Sequence, residues 1–87
     1  MIKVKKENER EFRVTVEEKD SESEHTVNLD DDYYQKLTEG KISKEELIKK
    51  SFEFLLEREP KESILSEFDL RIINHYFLEY EKEIKVQ

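Results

Sequence analysis

Cysteine is absent from the 87 residues, which removes disulfide frameworks, thiol catalysis and zinc–thiolate centres from consideration. A single glycine leaves nothing from which to build a phosphate-cradling loop. That glycine and a single proline are also far too few for a flexible linker. No apolar run approaches the ~20 residues of a membrane-spanning helix, so no membrane association is expected. The opening MIKVKKENER carries positive charge with no apolar segment behind it. It does not read as a signal peptide, and the expected location is cytoplasmic.

What remains is dominated by charge. Charged residues make up 45% of the chain and hydrophobic ones 34%, a balance that taken alone leans toward disorder. Five Phe and four Tyr point the other way, to one small folded domain over residues 1–87 with an aromatic-rich core and a solvated surface. A dimer would help such a chain bury more area. The net charge of −7 disfavours attraction to phosphate or anionic lipid. Its distribution is uneven: residues 20–40 hold seven acids against Lys36 alone, whereas residues 1–19 and 41–59 are close to balanced.

EFRVTVEE (11–18) alternates Phe12, Val14 and Val16 with polar residues, the period-2 pattern of a strand with one buried face. HTVNL (25–29) alternates likewise, and the polar KDSESE between them suits a hairpin loop. Ile2 and Val4 could extend the sheet. Asp30, Asp31 and Asp32 then read as a helix start, because a carboxylate at the N-cap accepts backbone N–H bonds and acids oppose the helix dipole. The spacing of DDDYYQKL lacks the alternate oxygens and turn glycine of a calcium loop. A helix is expected over about 31–39, ending near Gly40. A second, over about 44–59, opens on the capping box SKEE with Ser43 as cap and Glu46 reaching back, and stops before Pro60. Leu47, Ile48, Phe52, Phe54, Leu55 and Leu56 give it an apolar face wide enough for both its own sheet and a second subunit. Phe68, Ile72, Ile73, Tyr76, Phe77 and Tyr80 follow helical spacing, which predicts a third helix over about 66–82 after an Ile64–Leu65 apolar knuckle. The expected fold is α+β: an N-terminal antiparallel β-hairpin followed by three helices packed on one face.

Chemistry is sparse. His25, at a strand edge, is expected to be solvated or partly packed, and the His75–Glu79 pair has no second histidine nearby to complete a metal site. Ser51 has neither a glycine-flanked elbow nor a partnered base, and reads as a small packing residue. No enzyme, cofactor or metal is expected.

The stretch HTVNLDDDYYQKLTEGKISKEELIKKSFEFLLERE (25–59) resembles the ribbon-helix-helix family of bacterial and archaeal repressors and antitoxins. The resemblance implies a dimer in which a strand pairs with its twin and enters the DNA major groove. Thr26 and Asn28 would then read bases, and Ser43, flanked by Lys41 and Lys44, would hold a phosphate at the helix N-terminus. The strand so placed is flanked by Glu22 and Glu24 and by Asp30–Asp32, and these carboxylates oppose an approach to phosphates. The expected role is therefore a small acidic, non-enzymatic protein–protein interaction module, antitoxin-like or accessory to a basic partner. Asp30, Asp31, Asp32, Phe52 and Leu56 are its candidate surface, and a homodimer is expected. A dimeric ribbon-helix-helix DNA-binding regulator is the alternative.

Overall fold

The computed structural model describes residues 1–85. In chain order these form β1 (Ile2–Lys6), β2 (Glu11–Glu18), β3 (Ser21–Asn28), α1 (Asp31–Thr38), α2 (Lys44–Leu56), a 3-10 turn at Lys61–Ser63, β4 (Glu67–Asp69), α3 (Ile72–Tyr76) and α4 (Tyr80–Ile84). The chain is α+β, but the expected hairpin with three helices gives way to a four-stranded mixed sheet and four helices. The sheet order is β1-β2-β3-β4, with β1, β2 and β3 antiparallel and β4 parallel to β3.

Three differences account for the change. Ile2 and Val4 do extend the sheet, pairing opposite Val16 and Val14. The expected loop at 19–24 shrinks to Lys19 and Asp20, because Glu18 pairs with Ser21 and the ladder continues through Ser23 opposite Val16. The inward positions of this half of β3 are the polar residues Ser23 and His25, so it shows no apolar alternation. The expected helix over 66–82 is three elements. Phe68 and Leu70 are buried while Glu67 and Asp69 are exposed, which is strand periodicity. Thr26 N–H donates to Ser66 O (2.7 Å) and Leu70 N–H to Asn28 O (2.9 Å), and these bonds frame the short parallel ladder. The Asp69 carboxylate then accepts from Arg71 N–H (2.9 Å), and Asn74 Oδ1 from Glu81 N–H (3.1 Å). Between α3 and α4, Phe77 adopts an extended conformation, so the helical spacing there spans two separate turns.

The two longer helices start where their caps sit. The Asp30 side chain accepts from Tyr33 N–H (2.8 Å) and Ser43 Oγ from Glu46 N–H (3.1 Å). α1 ends through Glu39 and Gly40, both at positive φ (53° and 76°). α2 ends at Leu56, with Glu57–Glu59 as a turn before Pro60.

One face of the sheet carries Phe12, Val14, Val16, Val27 and Phe68, all buried beneath the helices. The other carries Lys3, Lys5, Arg13, Glu24, Glu67 and Asp69, all exposed. The wide apolar face of α2 is covered within the chain. Phe52 lies between His25 and Phe68 (ring centroids 5.3 and 6.0 Å), and Phe54 meets Phe77 and Tyr80 (5.9 and 5.2 Å). The apolar surplus that suggested a second subunit on α2 is thus used inside one chain.

Candidate functional site

Thr26 and Asn28 lie on the open face of the sheet, half-buried. Thr26 sits between Arg13 and Glu67, and Asn28 between Glu11 and Asp69. β3 is an inner strand, paired with β2 on one side and β4 on the other. A ribbon shared between two chains needs a free edge on this strand, and over Thr26–Asn28 both edges are taken within the chain. Lys41, Ser43 and Lys44 belong instead to the connection into α2, in the helical layer. Ser43 is occupied as a cap, and the Lys44 ammonium is bonded to Asp31 and to Glu9 O. The five residues named for DNA contact are thus divided between two layers.

Two of the three acidic candidates are also engaged. Asp30 caps α1 and pairs with Arg71, and Asp31 pairs with Lys44. The Arg71 guanidinium and the Tyr33 amide hold the Asp30 carboxyl down at about 2. Asp32 is exposed. Phe52 is fully buried and belongs to the core rather than to any surface, and Leu56 is half-buried against it.

His25, expected to be solvated or partly packed, is buried: Nδ1 donates to Leu65 O (2.7 Å), and Ser23 Oγ lies 2.8 Å from Nε2. A carbonyl only accepts, so Nδ1 carries a proton. Ser51 is fully buried, bonded to Leu47 O (2.7 Å) and Tyr80 OH (2.6 Å). Its hydroxyl proton goes to the Leu47 carbonyl, so Tyr80 is the donor of the second bond. Glu79 pairs with Arg58 rather than His75, and among the described residues no three His, Asp or Glu side chains gather as metal ligands.

A concave feature lies apart from all the candidate site residues named above. A cleft of about 400 Å³ opens where the end of α2, the segment before β4, β4 itself and α3 meet. Leu55, Ile64, Phe68 and Ile73 form its buried floor, and Leu65, Ile72 and Tyr76 its rim. These rim side chains are exposed by 49, 36 and 65%, which is unusual for large apolar groups grouped around one opening. The sequence does carry a sign of it. Ile64–Leu65, Ile72–Ile73 and Tyr76–Phe77 are adjacent apolar pairs, more apolar side chains than a narrow inward stripe accommodates. Ile64 and Ile73 go inward, Leu65, Ile72 and Tyr76 become rim, and Phe77 is a half-buried wall.

The charges around the cleft are sorted. Arg58 bonds Glu79 and Glu83 (both 3.2 Å) and lies 3.6 Å over the Phe54 ring. Lys61, buried, is bonded to Glu18 (3.1 Å) and Glu62. Arg71 is held by Asp30 over the Tyr33 ring. Three nearby cations are therefore engaged by carboxylates. Glu59, in the cleft wall, and Glu67, beside Phe68, have no ion pair among the described residues. The cleft has an apolar floor and rim, with Glu59 and Ser63 also in its lining and Glu67 beside it. The chain matches no protein-family model, no curated protein and no solved structure.

Proposed function

We propose that the protein is a small non-enzymatic interaction module that holds a basic protein partner at the cleft between α2, β4 and α3, where Glu59 and Glu67 adjoin an apolar floor and rim. The cleft carries this reading: large apolar side chains stay in water around a preformed concavity. The nearby cations are engaged by carboxylates of the chain itself, whereas Glu59 and Glu67 are left for a partner, which suits a basic surface. An accessory or antitoxin-like role, neutralising or carrying a basic protein, is consistent with the net charge of −7.

The test is affinity capture from the source cells with the wild-type chain and with Tyr76→Glu, which alters an exposed rim position. The expected result is a basic protein retained by the wild type, lost with Tyr76→Glu and released by raised salt. Retention of the same protein by the variant would remove the cleft as the binding surface.

A further inference from the structure

Resting on that reading, we infer that the occupant of the cleft is an amphipathic helix of another protein, apolar on one face and lysine- or arginine-rich beside it. Ile72 and Tyr76 stand four residues apart on α3, both exposed. Together they form a ridge of the i, i+4 kind that packs between side chains of a second helix. Leu65 faces them from the segment before β4, so the opening has two apolar lips and an apolar floor, suited to a row of anchors at i, i+3 and i+4.

Two other occupants fit less well. An added strand would have to pair with the outer edge of β4, which is three residues long and carries exposed Glu67 and Asp69. Short, charged edges of this kind resist strand addition. A second copy of the chain would bring Glu59 and Glu67 toward their own twins, adding like-charge repulsion between two molecules of net charge −7. A basic helix meets the same carboxylates with opposite charge.

The chain has no tryptophan, so a peptide with one tryptophan reports binding without background. Three probes share one composition of leucine, lysine and a single tryptophan: one with helical periodicity, one with strict alternation, and one scrambled. The helical probe should bind with a blue-shifted tryptophan emission, and Ile72→Lys should weaken it by about tenfold or more. The variant's thermal melt checks that it is folded, and Leu65→Lys provides a second lip substitution. Equal binding of the scrambled probe, or helical-probe affinity unchanged by both substitutions, overturns the inference. Stronger binding of the alternating probe, still lost with Ile72→Lys, removes the helix and keeps the cleft as the site. If no probe's binding depends on the lip residues, the cleft reading falls as well. Sedimentation equilibrium completes the set. A wild-type dimer dissociated by Ile72→Lys would make a second copy the occupant and overturn the basic helix.

Discussion

Ser51 and Tyr80 show how a polar pair sits in a core without cost. Tyr80 OH donates to Ser51 Oγ, and Ser51 donates onward to Leu47 O, so neither hydroxyl lacks a partner. Replacement of Ser51 by Ala strands the Tyr80 hydroxyl and should destabilise by about 1–3 kcal/mol, whereas Tyr80→Phe leaves Ser51 bonded and should cost about 1 kcal/mol. The double variant should lose less than the sum, as denaturant melts of the four proteins would show. Asp30 shows the opposite chemistry, a charge whose ionised form is favoured by folding. Its carboxyl titrates at about 2, below its ordinary value in an unfolded chain. Its contribution is therefore present above about pH 4 and is lost as pH falls toward 2. Asn also caps helices well, so Asp30→Asn should keep α1 while removing the charge. Thermal melts in acid should show a shallower loss for Asp30→Asn between about pH 4 and pH 2. An unchanged slope would place the acid sensitivity elsewhere. Asp30→Ala removes the cap too and should cost about 1 kcal/mol at neutral pH.

Among elements, legibility followed local chemistry. β2 has the bounds that its alternation predicts, and α1 and α2 begin at their Asp30 and Ser43 caps, because a capping side chain and a period-2 apolar pattern act within a few residues. The first half of β3 carries no apolar alternation, because Ser23 and His25 fill its inner face there. Their bonds are to each other and to Leu65 O, 40 residues beyond His25, and such a partnership leaves no local mark. β4, α3 and α4 were merged for a related reason. Phe68, Ile72, Tyr76 and Tyr80 are spaced by four, yet Phe68 and Leu70 face inward together and Asn74 caps a separate turn at Glu81. Adjacent apolar pairs aside, the cleft has no local signature in the sequence, because it exists only where these elements meet α2. The end of α1 offers a test at this scale. Glu39 holds φ 53°, a conformation that costs an L-residue about 1 kcal/mol or more. Glu39→Gly should relieve it and stabilise the protein by up to about 1 kcal/mol, read as a higher midpoint in urea. No gain would mean that the added freedom of glycine in the unfolded chain offsets the relief.

At the scale of the whole molecule, the segment that builds the cleft is joined to the rest by long-range ties. His25 reaches Leu65 across 40 residues and Arg71 reaches Asp30 across 41. β4 adds only three register pairs to β3, against eight between β2 and β3. A unit with so few strand pairs should open more readily than the sheet it borders. Native-state hydrogen exchange should therefore find the amides of Phe68 and Leu70 less protected than those of Val14 and Val16. Equal protection would show that the chain opens only as one body.

The sheet's two margins have a further consequence, for self-association. β1 carries Lys3, Lys5 and Lys6, and β4 carries Glu67 and Asp69. Two molecules meeting β1 to β1, antiparallel about Val4, would set Lys3 of each against Lys5 of the other. Meeting β4 to β4 would set carboxylate against carboxylate. Like charges opposite one another destabilise strand pairs, and charged margins of this kind are a recognised guard against aggregation. Both symmetric ways of continuing the sheet are therefore opposed by charge.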